Sequence, residues 1–235
     1  MSVWSPRRFW TTATVVPVEG GFTVHLDGRP VRTPLKAALI LPTEALARDI
    51  AAEWQGVESK VDPAAMPLTR MANSAIDKVA PQFAEVAAML ADYGGSDLIC
   101  YRAEEPVALA ERQAAAWDPL LDWAETALAA PLVRVQGVMP KPQPAASLAA
   151  LSAAVHRLTP FQLVAFHDLV ALSGSLVIAL ALTQRHLTVT EAWRLGRIDE
   201  DWQIAEWGED EEAAEIAARK QADFLRADRF FALCG

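Results

Sequence analysis

The sequence holds little of the equipment that chemistry usually needs. Its two cysteines, Cys100 and Cys234, have no C-x-x-C spacing, which excludes a disulfide framework and a thiolate zinc site. The four histidines, His25, His156, His167 and His186, are scattered, and H-E-x-x-H is absent. His167 and Asp168 are adjacent, so on a helix they point about 100° apart and read as a poor joint metal site; such a histidine reads as a hydrogen-bonded core residue. Neither G-x-x-x-x-G-K-[ST] nor G-x-G-x-x-G occurs, which removes the common phosphate and dinucleotide loops. Ser173-Gly174-Ser175 is not a nucleophile elbow, since no strand precedes it, and reads as a small-residue junction between helices. Cys100 reads as a buried, inert thiol.

Long uninterrupted apolar runs are also missing. The most apolar stretch, 161–182, contains Gln162, His167, Asp168 and the Ser-Gly-Ser break. A membrane span needs roughly 20 residues with few or no charges. The stretch therefore reads as two buried helices, with no membrane insertion. The first ten residues, MSVWSPRRFW, lack the apolar core of a secretion signal.

Positive charge is in short supply. Twenty-one Lys and Arg face thirty Asp and Glu, for a formal net charge of −9. That argues against nucleic acid and against an anionic membrane surface. A basic or polar protein partner remains. Hydrophobic residues make up 52% of the chain, enough for a sizeable core and incompatible with a disordered chain.

The organisation predicted is α+β, a small β-rich N-terminal domain (1–62) with one short helix, then a larger all-helical domain (63–235). Phe22, Val24 and Leu26 alternate with Thr23 and His25, the period of a half-buried strand. Gly20-Gly21 and Asp27-Gly28 bracket it as tight turns. Residues 15–18 and 31–33 are the expected flanking strands, with a further short one at 39–41. Thr43 is placed to cap a helix over 44–55, with Leu46, Ile50 and Trp54 on one face. From Pro63 onward the periodicity is helical. A long helix after Pro106 carries a stripe through Leu109, Gln113, Trp117, Leu120 and Leu121, with a kink or break expected at Pro119. Thr190 is expected to open a later helix in which Asp199 lies, and the last helix should occupy 209–233.

Two groups of residues suggest a binding role. Asp199, Glu200 and Asp201 precede Trp202, and Glu206, Glu209, Asp210, Glu211 and Glu212 follow. Glu209 to Glu212 suit a helix start, where the macrodipole favours negative charge. Asp199 sits beside an apolar face, either solvated or reserved for a partner. Tryptophans number eight, at 4, 10, 54, 117, 123, 193, 202 and 207. Trp117, Trp193 and Trp207 read as core; Trp54, at the end of a short helix, reads as core or as a surface anchor.

Several segments, in order, resemble one family: RRFW (7–10), LDGRPVRTP (26–34), IAAEWQ (50–55), MPLTRMANSAID (66–77), DLICYRAEEP (97–106), WDPLLDW (117–123) and RIDEDWQIAEWGEDEEA (197–213). They are similar to the assembly chaperones that bind the α subunit of F-type ATP synthase, found in mitochondria and in the bacterial relatives of their ancestors. The resemblance implies a non-enzymatic chaperone without cofactor or metal, monomeric when free, that shields the α subunit from aggregation before the catalytic head is built. It places the family's acidic position on Asp199 and the family tryptophan on Trp54; the partner site expected is Asp199, Glu200, Trp202, Trp54 and Arg70. It also implies a bacterial cytoplasmic protein, with eukaryotic relatives in the mitochondrial matrix. Two rival readings are a hydrolase using His186, Asp199 and Glu200, and an adaptor with another partner.

Overall fold

A computed structural model describes residues 7–137 and 139–235; Trp4, one of the eight tryptophans, lies outside them. The fold is α+β. An antiparallel three-stranded sheet in the order β1 (Ala13–Val18), β2 (Gly21–Leu26), β3 (Arg29–Pro30) precedes a mainly helical remainder. The first hairpin follows the alternation of residues 22–26, with Val15 paired to Val24 and Val18 to Gly21. The strand expected at 31–33 forms earlier, at Arg29–Pro30, because the Asp27-Gly28 turn returns the chain at once. Arg32 and Leu41 keep only isolated bridges, to Ala38 and Phe22. Helix α1 (Glu44–Gln55) is capped as predicted: the Thr43 hydroxyl accepts from Leu46 N at 3.1 Å.

The described residues cluster into two compact units. The first comprises 7–83, 159–165 and 230–235, and the second 84–137, 139–158 and 166–229. In the first, α1 packs on β1 and β2 through buried Leu46 and Ile50, with Val24, Leu39 and Leu41 also buried. Three carboxylates then clasp its irregular segments. Asp27 accepts from Thr11 N and Thr12 N, both at 2.9 Å. Asp77 accepts from the Thr33 hydroxyl at 2.6 Å and Leu35 N at 3.1 Å. Glu53 accepts from Leu68 N and Thr69 N, both at 2.8 Å, at the start of α2 (Pro67–Ser74). Backbone donors that helix starts and loops leave unpaired are thereby satisfied.

The second unit is built around α4 (Val107–Leu128) and α7 (Leu176–Thr183), seven of whose eight residues are buried. Pro119 lies inside α4 without ending it, so of the kink or break expected there the break does not occur. The apolar stretch 161–182 forms α6 (Pro160–Ser173) and α7, joined by a left-handed Gly174, and the Ser175 hydroxyl caps α7 by accepting from Ile178 N at 3.0 Å. Among the described residues no helix is long and apolar enough to cross a membrane. Cys100 and Cys234 are free and buried, and burial pushes both thiols up to about 12, far from a reactive thiolate.

Asp97, which the sequence did not single out, is fully buried in this unit. Its carboxylate accepts from Ile99 N at 3.2 Å and Val177 N at 3.0 Å, so it joins the 97–106 segment to the start of α7. Desolvation pushes its pKa from 3.8 to about 6, against the hydrogen bonds from Ser175, Val177 and Ile99. Between roughly pH 4 and pH 6 the folded chain thus holds more protons at this site than the unfolded chain does. The site's contribution to stability is fully present below that window and is lost as pH rises through it. We expect Asp97→Asn to remove this slope, seen as a wild-type-minus-variant difference in urea midpoints that falls as pH rises across the window. The variant should also cost about 1–3 kcal/mol at neutral pH, because its NH2 faces a backbone donor.

Candidate functional site

The acidic segment near the C-terminus folds as a helical hairpin, and the helix expected to run from Thr190 through Asp199 is broken in two. Helix α8 (Val189–Leu195) opens with a capping box in which Thr188 and Glu191 exchange hydrogen bonds, two residues before the expected start. It stops at Gly196, where an added Cβ would meet the Ser173 carbonyl oxygen at 3.0 Å. Helix α9 (Ile198–Trp207) restarts at once, so Asp199 sits in a first turn, where the macrodipole favours its charge. Gly208, with φ +91, turns the chain, and the Asp210 carboxylate caps α10 (Glu211–Leu233) by accepting from Ala213 N at 2.8 Å.

The root of this hairpin is held by α4. One turn apart on that helix, Trp117 donates its indole N–H to the Leu195 carbonyl at 2.8 Å and Gln113 donates its amide to Asp199 Oδ1 at 2.6 Å. The Gln113 oxygen accepts from Ala103 N at 2.7 Å, so this buried amide is used at both ends. Asp199 is half-buried. It is therefore neither freely solvated nor held in reserve, as its sequence position suggested: it has an internal partner. Trp193 completes the root, with Phe224 of α10 at 5.6 Å between ring centroids and the Arg197 guanidinium 5.4 Å over its own ring.

Beyond the root the hairpin is bare. Trp207 is 80% exposed, Ile204 38% and Ile216 40%, and the first buried residue of α10 is Phe224. Trp207 is thus a surface residue, not the core residue expected; Trp117 and Trp193 are buried as expected. Between α9 and the first half of α10 lies an open groove of about 770 Å³, lined by Ile204, Trp207, Ala213, Ala217, Glu200 and Glu209 among others. Residues 199–215 hold nine carboxylates and no lysine or arginine. The chain's whole formal charge of −9 resides there, and the remaining twenty-one acidic and twenty-one basic residues balance.

The other predicted site residues fall elsewhere. Glu200 is exposed and Trp202 half-buried, both on α9, in the second unit. Trp54 and Arg70 belong to the first. Arg70 is an exposed residue of α2. Trp54 is half-buried, its ring 5.3 Å from that of Trp10, and its carbonyl accepts from the Trp10 indole N–H at 3.2 Å. Its own indole nitrogen is buried with no partner among the described residues. His186 of the hydrolase reading is exposed and stacked on Trp123 at 5.0 Å. His167 is exposed, not core, and its ring bonds the neighbouring Asp168 at 3.0 Å, which bends the two side chains together despite their different helical angles. Among the described residues no three His, Cys, Asp or Glu cluster as a metal site would require.

An exposed apolar and acidic hairpin on a buried root has the character of an interaction surface. A family model described as ATP12 chaperone protein matches residues 7–125. The crystal structure of Atp12 from Paracoccus denitrificans is 54% identical with a TM-score of 0.94, covering 97% of this chain and 98% of that one. The protein Atu1473 of Agrobacterium tumefaciens is 42% identical with a TM-score of 0.93, over 98% and 87%. Mitochondrial atp12 of Schizosaccharomyces pombe is 25% identical over 242 residues, 97% of this chain and 82% of that protein. The chain belongs to the ATP12 chaperone family, a family of ATP synthase assembly chaperones.

The Gln113–Asp199 bond separates two roles for that carboxylate. Asp199→Asn keeps an acceptor for Gln113 and should cost under about 1 kcal/mol, whereas Asp199→Lys leaves a buried amide donor unpaired and should cost about 1–3 kcal/mol. Thermal denaturation of the two variants checks the order. Trp54→Ala should cost about 3 kcal/mol if its packing on Trp10 is structural. An unchanged melting temperature would instead free Trp54 for a binding role.

Proposed function

We propose that this chaperone binds the α subunit of F-type ATP synthase and keeps it from aggregating until the catalytic head assembles, without catalysing a reaction. The observation that carries the reading is the bare hairpin: large apolar side chains held in solvent beside concentrated negative charge, on the segment where the resemblance puts the family's acidic position. A free α subunit must offer the surface that will later meet a neighbouring subunit, and such surfaces are apolar at the centre and polar at the rim. Asp199, Glu200 and Trp202 belong to the proposed contact; Trp54 and Arg70 are proposed as further contacts. The hydrolase reading is less well supported, since the His186 ring is stacked on Trp123. A cytoplasmic location and a monomeric free state are part of the same proposal.

The test is light scattering from isolated α subunit on dilution from denaturant, with isolated β subunit as the specificity control. Wild type should suppress α-subunit aggregation near equal stoichiometry and leave β unaffected. Asp199→Lys should lose protection even at an assay temperature well below its own melting temperature, where it is folded. A desolvated pair at this carboxylate would lose about 2–5 kcal/mol of binding. Glu212→Lys, exposed in the first turn of α10, should lose only a few tenths of a kcal/mol of helix stability and protect normally. Full protection by Asp199→Lys, or equal failure of Glu212→Lys, removes the site.

A further inference from the structure

We infer that the groove between α9 and the first half of α10 captures a cationic amphipathic helix, with an apolar stripe bordered by Lys or Arg; this rests on the function proposed above and names the feature of the partner that is recognised. Shape is the first argument. The groove lies between two helices and holds about 770 Å³. Ala213, Ala214, Ala217 and Ala218 on its α10 wall keep that side low, so another helix can approach its backbone closely. Ile204 on α9, Trp207 at its end and Ile216 on α10 supply exposed apolar anchors around it. A helix laid into such a groove presents residues spaced three and four apart.

Charge identifies the occupant. Glu200, Glu209 and Asp210 line the groove together with Asp201, which pairs with Arg197 at 3.5 Å; Lys220 is the other lining cation among the described residues. The stretch 199–215 carries a charge equal to that of the whole chain, while the rest of the molecule is balanced. A nucleic acid or an anionic bilayer would be repelled here. A second copy of this chain would bring two stretches of the same sign together. A helix with a neutral or acidic flank would gain the apolar contact but not the attraction. Only a cationic flank satisfies the apolar floor and the acidic rim together, and the attraction would also speed encounter.

The experiment uses the full chain and two designed peptides of about 18 residues, long enough to be helical when bound. They share one Leu stripe and differ only in its flanks, Lys/Arg in one and Glu/Asp in the other. Binding is followed by fluorescence anisotropy. The cationic peptide should bind at least about tenfold more tightly than its acidic twin, with the gap shrinking as salt rises. Trp207→Ala should weaken the cationic peptide about tenfold with an unchanged melting temperature, since Trp207 is exposed. Glu200→Lys with Glu209→Lys should reverse the preference, and Glu212→Lys, outside the groove lining, should preserve it. Equal binding of the twins, or no effect of Trp207→Ala, overturns the inference. Chaperoning of the α subunit is measured on the same samples. Protection without capture of the cationic peptide sinks the groove's specificity and leaves the proposed function standing; capture without protection does the reverse.

Discussion

The side-chain amide of Gln113 is the constraint on which the second unit's working surface depends. It is buried in the long helix α4, where an unpaired amide would cost more than its hydrogen bonds return. Its oxygen takes the N–H of Ala103 and its nitrogen donates to Asp199, so the start of α9 is fixed to α4 by a bond to a charged acceptor. Trp117, four residues on, repeats the device with the Leu195 carbonyl. Two side chains on one helix face thus hold both sides of the α8–α9 break. The aim of α9, and with it the mouth of the groove, follows from that pair.

The distribution of charge gives this geometry its meaning. Ion pairs elsewhere in the unit are local and self-contained: Arg102 with Asp118, Arg134 with Asp118 and Asp122, Arg185 with Asp228. Such pairs set geometry and leave no net field. The hairpin does the opposite. Its carboxylates are mostly exposed and outnumber any cation within reach, so mutual repulsion disfavours the isolated arm unless something relieves it. The first-turn positions of Asp199, Glu200, Glu211 and Glu212 recover part of that cost from the helix dipoles. The remainder is available to a cationic partner.

Legibility in the sequence followed the range of the physics. The hairpin of β1 and β2 was readable because alternation and Gly turns are local, and Thr43 was readable as a cap for the same reason. The two buried helices in 161–182 followed from one Ser-Gly-Ser break and an interior carboxylate. Gln113 stood visibly out of place in an apolar stripe, but nothing local named Asp199, eighty-six positions on, as its partner. The stop at Gly196 depends on the Ser173 backbone passing within a Cβ's reach, a long-range contact that helical periodicity does not encode. Trp207 was misread for another reason. A tryptophan reads as core by its size and apolar ring, although the carboxylates on both sides of Trp207 were a local sign of solvent. Glu53, Asp77 and Asp97 carry no signal beyond being acidic residues within family-like segments; their backbone partners lie in other segments.

The last helix shows how an uncovered arm can remain ordered. From 211 to 223 α10 has no buried residue, and a free helix of that length is marginal in water. The Asp210 cap and several alanines help, but they act only once the helix has nucleated. Nucleation is supplied from below. Phe224, Ala227, Phe230 and Phe231 are buried, so the second half of the helix is fixed by packing and the first half propagates from it. Phe224 lies on Trp193 of α8, and the Leu195 carbonyl two residues further along α8 is the group held by Trp117. Both walls of the groove therefore hang from one short helix. The groove's walls are tied to the core of the unit while its lining stays exposed, and a groove formed in advance loses less entropy on capture than a loop that must first fold.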